Sequence, residues 1–347
     1  MVTNILDAYG EDGDWQYYNG NVGLGGVSVQ TGYGFRAAFA RCCVLFSSSN
    51  MTFGQRLWPG GPTTTGWFSM RLYCSAINNN HNVLNTKFFG FCDSSGLERI
   101  AVIQNYNAGL GVLNNQYDVL KVDAAGNTTL LFTTISGFSN GPSVPDKIDF
   151  FFDYAVSGTL TMYINGALVG TYSGDITTNS VTQLAGTYQG TASIGGQSYG
   201  YSECILADGD TRDLSVVTCA ANGAGSTDQW TGAYTNVNVV TVNDANFDTT
   251  STSGDVQLYT MSGIATGNFD ILTLVTNIRA TQGAGSLTHI ALAQEISGTQ
   301  YVTSAKNFPT SFGPVQFIQE LNPATGQLWT QSDVNAVGFQ SGYKATT

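Results

Sequence analysis

The sequence predicts an all-β protein. Of its 347 residues, 42 are glycine and only 10% are charged, which is unusual for a helical protein. No long stripe of apolar residues recurs at helical spacing, whereas short apolar runs alternate with polar residues at a period of two. Turn-forming residues separate these runs. We therefore expect a large β-sandwich followed by a second, smaller β-sandwich or jelly-roll-like domain.

The clearest β pattern covers residues 147–170. Apolar residues occupy alternate positions from Ile148 to Phe152 and again from Leu160 to Ile164, which predicts two strands with unequal faces. Asn165-Gly166 is a strong signal for a two-residue hairpin turn, because both residues tolerate positive φ. A third strand, Ala167 to Tyr172, completes a predicted meander.

The meander contains Tyr-x-Asn-Gly-x-Leu-Val, from Tyr163 to Val169. This pattern resembles the back-sheet meander of concanavalin A-like (laminin G-like) jelly rolls. Lectins, glycosidases, pentraxins and many phage proteins share that fold. The resemblance therefore implies the fold and leaves the function open.

Short strands with turn signals between them continue on the N-terminal side of the meander, as expected for a sandwich. They are predicted at 34–46, 67–76, 88–92, 99–104, 109–113, 118–123 and 128–132. The last strand of the first domain is expected within 199–213.

Three further segments, 199–213, 231–238 and 322–330, resemble structural proteins of tailed bacteriophages, in which a concanavalin A-like jelly roll precedes a C-terminal β domain. The resemblance implies a jelly roll with its N-terminal lead-in over residues 1–221 and a C-terminal β-sandwich domain over 229–347. The Gly-rich stretch 222–228 is expected to be the linker.

The second domain is expected to be mostly strands, at 230–242, 254–261, 269–280, 287–294 and 315–321. Thr330 can cap a short helix over 333–337, with Asp333 reaching back to it, which is the pattern of a capping box. A closing strand is expected over 339–345.

Charge and hydropathy limit the kinds of partner that the chain can bind. The formal net charge of −12 argues against binding to a nucleic-acid backbone, which needs a basic patch. No run of about 18 apolar residues is present, so we expect no membrane insertion. The N-terminal residues lack the pattern of a signal peptide. Together with the phage resemblance, this predicts synthesis in the host cytoplasm and assembly into a virion.

The residues give no sign of catalysis. A retaining glycosidase needs an acid and a nucleophile about 5 Å apart, and the five glutamates form no Glu-x-Asp-x-x-Glu cluster. A Ser-His-Asp arrangement would need His81, in an Asn-rich loop, or His289, in an apolar strand. No Walker motif occurs. We therefore expect that the chain is not an enzyme.

Two acidic clusters could supply the oxygen ligands that Ca²⁺ prefers. One consists of Asp208, Asp210 and Asp213, and the other is formed by Asp7, Glu11, Asp12 and Asp14. Neither completes an EF-hand loop, and solvated acidic turns are the alternative interpretation. Calcium is the one cofactor that the sequence suggests.

Trp58 lies in Leu-Trp-Pro-Gly-Gly and is expected on an exposed loop, where its flat apolar ring could contact a ligand. The cysteines are expected to be mainly core thiols. The exception to watch is Cys74 with Cys92, on strands that are candidate neighbours.

Three functions follow. The first is a non-enzymatic structural protein of the virion, exposed on head or tail as a fibre, appendage or capsid-decoration component. It would form a homo-oligomer, contact other virion proteins and take part in host attachment through a surface glycan. The second is a lectin-like, carbohydrate-binding adhesin. The third is a glycan hydrolase, which the missing carboxylate cluster disfavours.

Overall fold

A computed structural model gives the structure over residues 3–10, 16–17, 27–30, 43–47, 52–74, 86–107, 112–136, 145–178, 181–191, 198–239 and 243–347. Within these ranges the chain divides into two compact units. The first unit ends at Val216, and Val217 begins the second.

The strands described for the first unit, in chain order, are β1 (Ile5–Tyr9), β2 (Gln16–Tyr17), β3 (Val27–Gln30), β4 (Cys43–Ser47), β5 (Thr52–Leu57), β6 (Thr65–Cys74), β7 (Thr86–Cys92), β8 (Glu98–Asn107), β9 (Val112–Val122), β10 (Thr128–Thr133), β11 (Asp146–Asp153), β12 (Gly158–Ile164), β13 (Ala167–Gly174), β14 (Gly186–Thr191) and β15 (Ser198–Ala207).

These strands form two antiparallel sheets. The first has the order β13-β12-β11-β6-β15-β4-β3, with β1 pairing with β15 beside this path. The second has the order β10-β9-β8-β7-β14-β5-β2. Neighbours such as β6 and β15 are far apart in sequence, so the sandwich depends on long-range pairing.

The core of the first unit lies between the two sheets. Phe150 of the first sheet stacks on Phe89 of the second, with ring centroids 5.1 Å apart, and Phe68 stacks on Phe89 at 5.3 Å. All three rings are buried. Burial of a large apolar side chain contributes about 1.5–3 kcal/mol, so this aromatic layer is a main source of the unit's stability.

The predicted meander is confirmed. Strands β11, β12 and β13 pair consecutively, with Ile148 opposite Ile164 in the first hairpin. Asn165 and Gly166 form the second turn with φ of 51° and 80°, the positive values that a type I′ turn requires. The turn matches the twist of the flanking strands, which fixes their register.

The described elements of the second unit are β16 (Ala221–Asp228), α1 (Tyr234–Val237), β17 (Val256–Met261), β18 (Leu274–Ala280), β19 (His289–Ile296), β20 (Thr299–Val302), β21 (Lys306–Asn307), β22 (Gly313–Gln319), α2 (Gln331–Val334) and β23 (Gln340–Thr346). One sheet has the order β16-β17-β23-β19-β20, with β21 pairing with β19, and β18 pairs with β22.

The second unit has a smaller core, which includes Leu292, Phe317 and Tyr343. The predicted capping box is present: Thr330 Oγ1 accepts from the Asp333 amide at 3.2 Å, and Asp333 Oδ2 accepts from the Thr330 amide at 2.8 Å. The helix itself is α2, slightly earlier than predicted. The fold class is confirmed: a β-sandwich is followed by a smaller β unit.

Two expectations about the second unit are wrong. Residues 222–228, expected as the linker, belong to β16, which pairs with β17. A Cβ at Gly225 would meet the Leu258 carbonyl oxygen at 2.5 Å, so glycine is there because two backbones approach closely. The strand expected at 230–242 is replaced in part by α1.

In the described part of the chain, neither helix has the length and hydropathy needed to cross a bilayer.

Candidate functional site

The candidate site lies on the outer face of the first sheet, opposite to the aromatic core. Strand alternation places the odd-numbered residues of β6 and β11 on this face. Cross-strand pairing then creates three rows, which are Arg71 with Lys147, Ser69 with Asp149, and Trp67 with Phe151. The face therefore changes from cationic to aromatic along the strands.

The exit segment, which we define as residues 208–216, lies on this face after β15 ends. Lys147 anchors it: the Nζ donates to the carbonyl oxygens of Thr211, Arg212 and Leu214 at 2.6, 2.8 and 2.5 Å. An ammonium group has three donors, and all three are used. We call this arrangement the lysine cage.

Asp149 lies next to the cage. Its Oδ1 accepts from Thr211 Oγ1 at 2.8 Å and is 3.8 Å from Lys147 Nζ. Both charged side chains are buried. Burial raises the pKa of Asp149 and lowers the pKa of Lys147, and their mutual attraction opposes both shifts.

Arg212 projects from the exit segment over Trp67 of the aromatic row and over Tyr163, which lies on β12 opposite Asp149. Its guanidinium lies 4.7 Å from the ring centroid of Tyr163 and 5.5 Å from that of Trp67, which are cation–π distances. Asp210 fixes it through Nε, at 2.9 Å, and Nη2, at 2.5 Å. These hydrogen bonds lower the pKa of Asp210, so the pair stays ionised.

An open cleft of about 550 Å³ lies at the cationic end of this face. It is lined by Arg71, Lys147, Asn165, Gly166, Arg212 and Asp213. Three of the chain's twelve lysines and arginines are therefore gathered at one cleft, although the net charge is −12.

The hairpin turn forms one wall of the cleft. Asn165 Oδ1 accepts from the Lys147 amide at 2.9 Å, and its Nδ2 donates to Asp146 Oδ1 at 2.5 Å. The Asn165 amide donates to the Lys147 carbonyl at 2.7 Å. The turn is thus tied to the start of β11, where the lysine cage begins.

Strand β15 contributes a local irregularity near the cleft. Glu203 has a φ of 49°, and the register of β15 against β6 shifts between Ser202 and Ile205, as in a β-bulge. Glu203 Oε2 lies 3.9 Å from Arg71 Nε and accepts from the Val216 amide at 3.4 Å. The bulge aims a carboxylate at Arg71 and at the end of the exit segment.

Trp58, the predicted ligand contact, is not on an exposed loop. Its side chain is 4% exposed and stacks on Phe152 at 6.0 Å, while its amide donates to the Ala185 carbonyl at 2.8 Å. The sequence Trp-Pro-Gly-Gly does form a turn, but the indole points into the core. Trp58 therefore does not serve a surface site, and Trp67 is the tryptophan beside the cleft.

Asp208, Asp210 and Asp213 do not converge. Asp208 accepts from the backbone and side-chain amides of Asn4, each at 2.7 Å, and Asp210 pairs with Arg212. In the described residues no group of three or more His, Cys, Asp or Glu side chains is placed to hold a metal ion. Calcium binding therefore stays a proposal.

In the other acidic cluster, Asp7 is buried and pairs with Arg56 at 2.9 Å, whereas Glu11, Asp12 and Asp14 lie outside the described residues. His81 also lies outside them, and His289 Nδ1 is 2.6 Å from Thr288 Oγ1.

The cysteine expectations are confirmed in part. Cys92 is a buried free thiol, and Cys204 is buried. Strand β6, which contains Cys74, and β7, which contains Cys92, belong to different sheets, so the expected neighbour relation is wrong.

Sequence reasoning missed Arg71, Lys147 and Arg212. Two signals were present: Lys147 begins the segment with the clearest β pattern, 147–170, and Arg212 lies in 199–213, which was singled out for its family resemblance. What was missing was their proximity, which follows from pairing between segments about 64 residues apart.

No protein-family model matches the chain, and no curated protein does. Solved structures do match. An endo-β-1,4-glucuronan lyase from the fungus Trichoderma reesei is 10% identical over 61% of this chain and 98% of its own, with a TM-score of 0.45. The alginate lyase vAL-1 from Chlorella virus is 10% identical over 59% of this chain and 100% of its own, with a TM-score of 0.39.

The carbohydrate recognition domain of Emp47p also matches, at 9% identity over 58% of this chain and 95% of its own, with a TM-score of 0.35. The matched structures thus include carbohydrate-recognition and lyase domains. At this level of similarity they assign neither an activity nor a ligand to this chain. They do overturn one expectation: the exclusion of an enzyme is withdrawn, because lyases are among the matched structures.

Proposed function

We propose that the first unit binds an acidic glycan in the cleft beside Trp67 and Tyr163. The observation that carries this proposal is the position of Arg212, which is fixed by Asp210 over both rings and at the same time lines the cleft. One side chain thus joins an aromatic surface to a cationic one. Acidic sugars present a matching pair of features, an apolar ring face and a carboxylate or sulfate.

The two guanidinium groups at the cleft favour an anionic ligand. Asp210 occupies Nε and Nη2 of Arg212, and among the described residues nothing engages Nη1. Arg71, opposite Lys147 on the sheet, adds a second guanidinium to the cleft. Guanidinium groups bind carboxylates and sulfates through paired N–H donors, which is stronger than neutral hydrogen bonding.

The size and polarity of the cleft suit a short glycan segment. Its volume, about 550 Å³, falls in the range of about 300–1,000 Å³ that is usual for ligand pockets. Asp213 and Asn165 offer an acceptor and an amide for sugar hydroxyls at the rim. Trp67 and Tyr163 are half-buried and stack on each other beneath Arg212, so the exposed parts of their rings add apolar surface beside the cleft.

A glycan array that contains matched acidic and neutral oligosaccharides tests the proposal, followed by calorimetric titration of the best ligand. Arg212→Gln should weaken binding at least tenfold. The control is Arg279→Gln, which breaks a similar exposed pair with Asp244 in the second unit and should change nothing. Equal binding of neutral glycans, or equal affinity of both variants, would contradict the proposal. An assay for new reducing ends in the mixtures of protein and glycan distinguishes binding from cleavage.

The sequence resemblance favours a second, compatible role. We propose that the chain is part of a tailed-phage particle, on head or tail, where it forms a homo-oligomer, contacts other virion proteins and contributes to host attachment. Its support is the order of the resembling segments, 163–169, 199–213, 231–238 and 322–330, along one chain. Proteomics of purified virions tests it, and absence of the chain from the particle would refute it.

A further inference from the structure

The carbonyl groups of the exit segment converge on one point. The carbonyl oxygens of Thr211, Arg212 and Leu214 all lie within 2.8 Å of Lys147 Nζ. Carbonyl oxygens that face one another repel, and a cation with N–H donors at the centre of the turn offsets that repulsion. In this protein the charge is a side chain from a strand 64 residues earlier in the sequence.

The turn has few other anchors to the sheet. Thr211 Oγ1 donates to Asp149, and the Val216 amide donates to Glu203. At the start of the segment, the Asp208 amide donates to the Asn4 carbonyl at 3.1 Å, and the Asp208 carboxylate accepts from Asn4. Within the segment, the Leu214 amide donates to the Thr211 carbonyl at 2.9 Å, and the Arg212 amide donates to Asp210 Oδ1 at 3.0 Å. Asp208 and Val216 thus anchor the two ends of the segment, whereas the turn between them, residues 211–214, is held on the sheet by Lys147 together with Thr211.

Arg212 and Asp213 both line the cleft, and both belong to the caged turn. We propose that Lys147 is a positioning residue for the binding site. Its ammonium acts as a built-in cation that holds the exit segment on the sheet, so that Arg212 stays over Trp67 and Tyr163 and Asp213 stays at the rim. The consequence for affinity rests on the proposed glycan-binding function, whereas the consequence for the segment does not.

Hydrogen exchange, measured by mass spectrometry without any ligand, tests the positioning. In Lys147→Ala, exchange of peptides covering 208–216 should be at least tenfold faster, while a peptide from β12 should keep its rate. Lys121→Ala is the matched control. Lys121 Nζ donates to Asp175 Oδ2 at 3.0 Å, and neither residue lines the cleft. Unchanged exchange in 208–216 would overturn the proposal, and so would unfolding of the whole first unit.

Chemical rescue distinguishes a hydrogen-bonding cation from charge alone. Adding n-propylammonium to Lys147→Ala should restore slow exchange of 208–216, because it brings three N–H donors to the vacated position. Tetramethylammonium has the charge but no N–H donor and should not restore it. Equal rescue by both ions, or none by either, would overturn the cage.

Ligand affinity provides the last readout. If the acidic glycan binds as proposed, Lys147→Ala should weaken it at least tenfold, with recovery in n-propylammonium. A glycan that binds Lys147→Ala as tightly as the unaltered chain would overturn the positioning role. If no glycan binds at all, the function fails while the exchange result still decides the role of Lys147.

Discussion

Asp149 of β11 and Ser69 of β6 are cross-strand partners, and both are buried. Neither Asp149 Oδ2 nor Ser69 Oγ has a hydrogen-bond partner among the described residues. A carboxylate that is removed from water with one oxygen unpaired is destabilised, which agrees with the raised pKa of Asp149.

Asp149→Asn should therefore stabilise the first unit at neutral pH, because Lys147, which is 3.8 Å from the carboxylate, keeps its three carbonyl acceptors when that charge is removed. The amide keeps an oxygen for Thr211 and offers a donor to Ser69, a hydrogen bond that contributes about 0.5–1.5 kcal/mol. An increase in Tm of about 2–4 °C in calorimetry is expected for a unit of this size. Asp153→Asn, on the same strand but half-exposed, is the control and should stay within about 0.5 kcal/mol. A lower Tm for Asp149→Asn would contradict this account.

The stability gain should depend on pH. Because the folded pKa of Asp149 is raised above 3.8, the folded protein binds more protons than the unfolded chain between these two values. The destabilisation by Asp149 is thus fully present above the folded pKa and is lost as pH falls through it. The stability difference between Asp149→Asn and the unaltered chain should shrink over that window in urea titrations. A difference that stays constant down to pH 3 would argue against the shift.

Two buried tryptophans offer a matched comparison. Trp58 Nε1 has no hydrogen-bond partner among the described residues, whereas Trp329 Nε1 donates to the Gln319 carbonyl at 3.1 Å. Replacement by Phe removes the same atoms at both positions. Both substitutions should lower stability, but the loss in the first unit from Trp58→Phe should be about 1–3 kcal/mol smaller than the loss in the second unit from Trp329→Phe. Only Trp329→Phe leaves a hydrogen-bond acceptor, the Gln319 carbonyl, unpaired. Equal losses in the two unfolding transitions would show that the indole N–H of Trp58 is satisfied.

The buried pair of Asp7 and Arg56 should be costly to break from one side. Arg56 donates to both carboxylate oxygens of Asp7, at 2.9 and 3.1 Å. Asp7→Asn should lower stability by about 3–5 kcal/mol, because it removes the carboxylate charge with which the buried Arg56 pairs. Asp175→Asn, which breaks the exposed pair with Lys121, should change stability by about 0–1 kcal/mol. The double variant Asp7→Leu, Arg56→Met should recover most of the lost stability in denaturant titrations. No recovery would mean that the pair stabilises the fold beyond balancing its own two buried charges.

Cys92 should be inert in the folded protein. Burial raises the pKa of its thiol to about 12, so almost no thiolate is present at pH 8. Intact-mass analysis after iodoacetamide treatment should show no label on Cys92 until the protein is unfolded. Labelling of Cys92 at a rate typical of exposed thiols would place it outside the core.

The sequence predicted those parts of the fold that depend on local patterns. The meander followed from alternation between Ile148 and Ile164, and its turn from the preference of Asn165-Gly166 for positive φ. The capping box followed from the spacing of Thr330 and Asp333. In each case the residues that decide the structure lie within about one element of one another, so a reader of the sequence sees them together.

The expectations that failed depended on distant partners. Residues 222–228 have the composition of a linker and become a strand because β17 lies alongside them. Residues near Ala233 form a helical turn instead of a strand because Asp248 Oδ1 accepts from the Ala233 amide at 3.0 Å and from Asn236 Nδ2 at 2.8 Å. Trp58 was expected at the surface because its neighbours form a turn, but Phe152 draws the ring inside.

The candidate site was out of reach for the same reason. Its cations come from β6, from β11 and from the exit segment, and no short-range pattern links Arg71, Lys147 and Arg212. A buried lysine at the start of a strand carries no sequence mark of the carbonyl groups it will meet. Only the antiparallel order of the sheet brings these elements together.

The lysine cage also has a mechanical meaning. Ser215 and Val216 alone separate Leu214 from Val217, the first residue of the second unit. Tension transmitted along the backbone from the second unit therefore loads the long hydrogen bond from the Val216 amide to Glu203 and then the Lys147 hydrogen bonds, before it reaches the backbone of β15. Under shear, the turn that carries Arg212 would be pulled away from Trp67 while the two sheets are still packed together. A ligand bound as proposed would then be released before the first unit unfolds.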